Sequence, residues 1–393
     1  MATLLLIIIY IAFISLGLPD ALLGSAWPVM QPDLNVPYAF AGIPQIMISG
    51  GTILSALFSG LLLKKYGTGK VTAVSVSLTA IALIGFSFSP SLWWLLVFTI
   101  PMGLGAGSVD AGLNAYVANN YKPHLMSWLH CFWGIGALGG PLVMSMLLSK
   151  GFQWRLGYRS IGIFQVCLVF ILIISLPLWD KVKKENEVET KEEESGDDIP
   201  FFSVLKVKGV LMALLIFLFY CGIELTMGLW GGSYLFKVKN MTPSTAAIWI
   251  SIYYGGITIG RFFSGFLTFK LSNNSMIRLG ISIVLLGVLF MLLPLPQGFV
   301  QAGFLLVGLG CAPIFPSMLH ETPVRFGKKN AQAVMGFQMA AAYVGSTVFP
   351  PMFGFIASSH AMYLFPFFLL GYIIILIICF ERLKKVVAKK IAS

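Results

Sequence analysis

The sequence predicts an all-α membrane protein of twelve spanning helices, arranged as two six-helix halves related by pseudo-symmetry. Three observations predict it. The 393 residues are 58% hydrophobic and only 10% charged, too apolar for a soluble globule built on one core. The apolar residues come in runs of about 20 or more, the length that crosses roughly 30 Å of hydrocarbon. A polar stretch near the middle divides those runs six and six.

The runs lie at 3–30, 38–63, 71–90, 92–118, 125–148, 159–179, 208–236, 244–268, 277–294, 299–320, 331–357 and 361–380. None alternates polar with apolar residues as porin strands do, so each reads as a helix. The first has no charged residues ahead of it and no small-residue cleavage site, and is expected to be a spanning helix, not a removed signal peptide. Between the sixth and seventh stands "DKVKKENEVETKEEESGDDIP" (180–200), with nine acids against four lysines, few aliphatics and no aromatics. Such a stretch reads as a solvated linker. The expected organisation is an N-terminal six-helix bundle (1–179), a cytoplasmic linker (180–203) and a C-terminal six-helix bundle with a short basic tail (204–393).

Charge sets the orientation. With the N-terminus inside, twenty of the 26 lysines and arginines fall in inner loops and the C-terminal tail, five fall in outer loops, and Arg261 lies within a span. That bias places both termini in the cytoplasm, and the net charge of +11 then calls for no nucleic acid. The five cysteines all lie in apolar segments without a CxxC pair, so neither a disulfide framework nor a metal site is suggested. The expected address is a multi-pass protein of the bacterial plasma membrane, in contact with lipid and acting as a monomer.

An internal repeat appears at an offset of 205. "GGTILSALFSG" (50–60) lies over "GGITIGRFFSG" (255–265), Lys65 over Lys270, and Gly103-Leu104-Gly105 over Gly308-Leu309-Gly310. One residue of slip sets Asp20 over Glu224 and Gly24 over Gly228, and Gly136…Pro141 echoes Gly345…Pro350. Gly103/Gly107 and Gly136/Gly140 form GxxxG pairs, which let membrane helices approach closely. Pro313, Pro316, Pro350 and Pro351 are expected to bend or break the tenth and eleventh spans.

With these features the chain resembles the major facilitator superfamily, whose parallel six-helix repeats enclose a substrate site at mid-membrane. "GLLLKKYGTGK" (60–70) is similar to that family's signature between the second and third spans, with Gly60, Lys65, Gly67 and Lys70 in register. It departs at Lys64, where the family has an Asp. Within the superfamily the chain resembles the fucose permease-like branch of sugar–proton symporters. The fourth span carries that branch's GLG, acid, Asn pattern as Gly103–Gly105, Asp110 and Asn114. The first span has its acid at Asp20, in "GLPDALLGSAWP". The seventh, "YCGIELTMGLWGGSYL" (220–235), holds Glu224, Gly228, Trp230 and Tyr234.

Four charged residues lie well inside the spans: Asp20, Asp110, Glu224 and Arg261. An ionisable group in hydrocarbon is costly and marks a functional site, and a carboxylate that titrates there suits proton coupling. Asp20 and Asp110 are assigned to proton coupling. Asn114, one turn after Asp110, shares its helix face. The resemblance adds His130, Trp133, Glu224, Trp230 and Gln338 as substrate contacts, and Gly60, Lys65, Gly67, Lys70 and Arg261 as gating residues. A fixed set of amides, carboxylates and aromatic faces suits a polyhydroxylated ligand.

"GIGALGG" (134–140) matches GxGxxG but neither follows a strand nor opens a soluble helix, so it is no dinucleotide site. No phosphate loop and no Ser-His-Asp arrangement appears, so an enzyme is not expected. The expected function is secondary active transport of a small polar solute, a sugar, by proton-coupled symport with alternating access. It needs no cofactor beyond an ion gradient, and sodium stays open as the coupling ion. The alternatives are a proton-antiport exporter of drugs or metabolites, and a non-transporting membrane nutrient receptor. In a variant freed of its five native cysteines, a new cysteine within 180–198 is expected to label only from the cytoplasmic side. One within 32–37 is expected to label only from outside; the reverse pattern overturns the orientation.

Overall fold

Hydrocarbon offers the backbone no water, so each span must satisfy its own N–H and C=O groups, and the helix does this locally. The structure, a computed structural model, describes residues 2–121, 123–187, 201–357 and 361–392. Its helices are α1 (Ala2–Asp20), α2 (Leu22–Leu34), α3 (Gly42–Tyr66), α4 (Thr68–Ser87), α5 (Leu92–Asn120), α6 (Pro123–Ser149) and α7 (Trp154–Glu187). They continue as α8 (Val210–Lys237), α9 (Pro243–Leu267), α10 (Asn273–Leu292), α11 (Gln297–Phe326), α12 (Lys328–Ile356) and α13 (Phe365–Ala392). Since α1 and α2 are two parts of the first span, these form twelve successive rods, with no strand among the described residues. Eleven are long and apolar enough to cross a membrane. The other, α9, is 25 residues long but diluted by Arg261, two tyrosines, and its serines and glycines. Residues 188–200, most of the expected linker, lie outside the described residues, and α7 stays helical through Glu187 before them.

The prolines act differently from expectation. α11 and α12 run through Pro313, Pro316, Pro350 and Pro351 without interruption. The break falls in the first span, where Ala21 separates α1 from α2 two residues after Pro19. Proline lacks the N–H that would bond the carbonyl four residues back, here that of Ser15. The Gln165 amide takes up that duty, donating Nε2–H to Ser15 O at 2.7 Å while its Oε1 accepts from Thr79 at 2.7 Å. A buried polar chain thus ties α1, α4 and α7 with these groups satisfied.

Two compact units divide the chain: Met1–Glu192 with Leu235–Ser251, and Glu193–Tyr234 with Ile252–Ser393. The first has a core of Leu5, Ile9, Phe13, Leu113, Leu129 and Leu172, drawn from α1, α5, α6 and α7. In it the α8–α9 turn is held by Ser145 Oγ donating to Ser244 O and Ser251 Oγ donating to Leu138 O, both at 2.8 Å.

Inside each unit the glycines make matching close contacts. A β-carbon on Gly103 would meet the Ile48 carbonyl and Gly51; on Gly308 it would meet the Tyr253 carbonyl and Gly256. Gly105 faces the Ser75 carbonyl as Gly310 faces that of Gly280, and Gly136 faces the Ile14 carbonyl as Gly345 faces that of Leu218. The partners are related by the offsets that align the sequence repeat, so the pseudo-symmetry is physical. One contact is reversed: Gly85 packs on Phe98, whereas at the equivalent places Phe290 packs on Gly303. Overfilling such a contact costs about 1–3 kcal/mol. Gly103→Val and Gly308→Val are each expected to lower the thermal midpoint of the detergent-solubilised protein. Gly371→Ala, whose β-carbon meets nothing within 4 Å, should not. Equal midpoints for all three would remove the glycines' packing role.

Candidate functional site

Asp110 and Asn114 sit one turn apart near the C-terminal end of α5, both half-buried. Their spacing sets the side chains on one helix face. The Asn114 amide donates Nδ2–H to Asp110 Oδ1 at 2.9 Å and to the Asp110 carbonyl at 3.0 Å. The expected joint projection of amide and carboxylate is therefore a direct bond.

Asp20 is the last residue of α1 and is exposed. Trp133, on α6, donates its indole N–H to Asp20 Oδ2 at 2.8 Å. His130, one turn earlier on α6, is exposed and meets Phe13 edge-on, with centroids 5.9 Å apart. Tyr10 stacks on Phe132 at 4.4 Å. The first unit thus gathers Asp20, His130 and Trp133 along the α1–α6 seam, with the Asp110–Asn114 pair on α5.

In the second unit Glu224 of α8 is buried, and Arg261 of α9 lies 3.9 Å from its Oε1. The Tyr253 hydroxyl donates to the Glu224 carbonyl at 3.1 Å. Trp230 is wholly buried against Phe353 and donates its indole N–H to the Pro350 carbonyl at 2.6 Å. Gln338 is also wholly buried; its Oε1 accepts from Thr322 at 3.0 Å, while its Nε2 lacks a partner among the described residues. Both are packed within the unit and are not brought to the Glu224–Arg261 pair by any hydrogen bond shown.

The remaining predicted residues lie at the α3–α4 junction. Gly60, Lys65 and Lys70 are exposed, with the Lys65 ammonium 5.2 Å from the Tyr66 ring. Gly67 ends α3 and begins α4 with φ +80°, a left-handed conformation that favours glycine.

Sequence reasoning missed the Thr79–Gln165–Ser15 chain and the Tyr253 tie to Glu224. The signal for the first was Pro19 itself, which strands a carbonyl. The second left no mark in the local sequence.

Repeat-equivalent acids have unlike partners. Ala56 stands where the repeat would put Arg261's counterpart, and Ala342 where it would put Trp133's. Asp20 therefore has a neutral donor and Glu224 a cation.

A family model described as Major Facilitator Superfamily matches residues 9–350. The chain is 22% identical over 349 residues to the glucose/mannose transporter GlcP of Bacillus subtilis, covering 86% of this chain and 84% of that one. It is 25% identical over 284 residues to bypass of stop codon protein 6 of Saccharomyces cerevisiae, covering 67% of this chain but only 57% of the yeast protein. Its fold is similar to the crystal structure of a D-xylose–proton symporter, with TM-score 0.70, 14% identity and 97% of each chain covered.

Breaking a buried ion pair by removing one partner costs about 3–5 kcal/mol, because the other charge stays buried. Arg261→Gln and Glu224→Gln are each expected to lower thermal stability, and the double variant to recover most of the loss. Additive losses in the double variant would show that the two charges do not act as a pair.

Proposed function

The chain belongs to the Major Facilitator Superfamily, and from that premise we propose that it is a proton-coupled symporter of a sugar. As a family member it is a multi-pass membrane transporter of a small molecule, not an enzyme. The observation that carries the finer reading is the Asp110–Asn114 bond. A carboxylate inside a span, bonded by a neutral amide, is free to gain and lose a proton without stranding a counter-charge. The amide that bonds it is also a donor a sugar hydroxyl can claim. Binding and protonation are then linked, and the linkage is reciprocal. The likeness to a glucose/mannose transporter supports the sugar class.

In this reading the lysine and arginine bias sets both termini in the cytoplasm of a bacterial plasma membrane. The halves 1–179 and 204–393 work as the two moving bundles of alternating access, joined by the linker 180–203. Asp110 carries the proton, with Asp20 as a second carrier; Asn114, His130, Trp133 and Glu224 face the substrate. The protein works as a monomer, without a cofactor.

The test is uptake of labelled glucose into proteoliposomes under an imposed proton gradient. Accumulation driven by an inward gradient supports symport. Uptake driven by an outward gradient makes the chain an antiporter, and an absence of flux makes it a receptor. Asp110→Asn, locked in the protonated shape, is expected to keep glucose counterflow and lose gradient-driven accumulation. Accumulation by Asp110→Asn would move the coupling site elsewhere.

A further inference from the structure

The two repeat-equivalent acids are not equivalent in chemistry. Glu224 faces the Arg261 guanidinium at 3.9 Å. Asp20 instead accepts from the Trp133 indole at 2.8 Å. We propose that Trp133 is a positioning residue that holds Asp20 ionised, and that Asp20 takes up a proton only when this bond opens. The inference deepens the symport reading and rests on it for the purpose of Asp20 protonation.

Three features carry it. First, an indole N–H only donates; it has neither charge nor acceptor. Its bond favours the ionised carboxylate, as any donor to the charged form does. Unlike a guanidinium, it leaves no buried cation behind when the carboxylate is neutralised. Second, the α1–α6 seam is locked just before Asp20. A β-carbon on Gly17 would meet the Trp133 carbonyl, one on Gly136 the Ile14 carbonyl, and one on Gly140 the Leu18 carbonyl. Backbones in such contact cannot slide, so the bond opens by rotation of the indole or by movement of the end of α1. Third, that end is where the helix stops: Asp20 closes α1 and Ala21 lies outside both helices. The carboxylate thus sits where a fixed seam meets a break, and it is exposed to the proton source.

The step balances simply. A proton from the aqueous phase adds to the Asp20 carboxylate, the indole keeps its own proton, and one hydrogen bond is lost. Among ionisable groups on the elements packed against α1, His130 of α6 touches it, edge-on to Phe13. The charged side chains of the other neighbours are Asp110 on α5, Lys70 on α4, Asp33 on α2, and Arg155 and Arg159 on α7. Asp33 is already bonded by Arg155.

The experiment follows the carboxyl C=O infrared band of the full chain in lipid vesicles as pH is varied, with the Asp20 part assigned by its loss in Asp20→Asn. Trp133→Phe keeps the aromatic body and removes the donor. A bond to a charged group is strong enough that its loss should move the Asp20 midpoint about one pH unit toward alkaline. An unmoved midpoint overturns the proposal. In the unmutated protein, the indole N–H resonance of Trp133 is expected to titrate with the same midpoint as Asp20, and a flat resonance overturns the proposal without any variant. Neither readout uses a substrate. If glucose flux fails while the midpoint moves, the symport reading falls and the Trp133–Asp20 device stands; if flux is coupled and the midpoint is fixed, the reverse holds.

Discussion

Hydrocarbon gives one apolar helix no hydrophobic reason to leave lipid for another, so association must come from close packing of backbones. The rest of the structure depends on that constraint. Gly103 against Ile48 and Gly51, Gly105 against Ser75, and Gly136 against Ile14 bring carbonyls within reach of where a β-carbon would stand. Gly308, Gly310 and Gly345 do the same in the second half. Only helices held this near one another can fix polar side chains to within a hydrogen bond's tolerance. The Asp20–Trp133 bond lies at the end of such a seam, and the Asp110–Asn114 pair lies on the helix that supplies Gly103 and Gly105.

Given that frame, the two halves treat buried charge in opposite ways. The second neutralises Glu224 with a cation, an arrangement costly to disturb because either partner alone is stranded. The first gives its acids neutral donors, the Asn114 amide and the Trp133 indole. Acids with neutral donors lose less on protonation than acids with counter-ions. A division of labour follows, with a titrating half and a half of fixed charge, although both grew from the same pattern of spans.

Much of this was legible in the sequence. Run lengths gave the rods, the offset of 205 gave the symmetry, and the turn spacing of Asp110 and Asn114 gave their bond. GxxxG spacing foretold the α1–α6 and α3–α5 contacts at Gly136/Gly140 and Gly103/Gly107. What was not legible was partnership across helices. Trp133 and Asp20 are 113 residues apart, and nothing local in either tells that an indole will meet a carboxylate. Trp230 looked like its peer in the sequence, yet its N–H serves the Pro350 carbonyl. The prolines misled for a related reason. Whether a proline interrupts a helix depends on what its freed carbonyl finds, and local sequence does not say.

The reversed pair, Gly85 with Phe98 in one half and Phe290 with Gly303 in the other, bears on how the halves parted. The ring sits on opposite helices in the two copies, so the same volume is filled from either side. A single change at either site leaves two rings in one slot or an empty one. Drift between duplicated halves at this seam therefore had to cross a less stable intermediate or change both positions together. The arrangement is a fossil of compensated exchange, and it makes the halves alike in shape while their parts are no longer interchangeable.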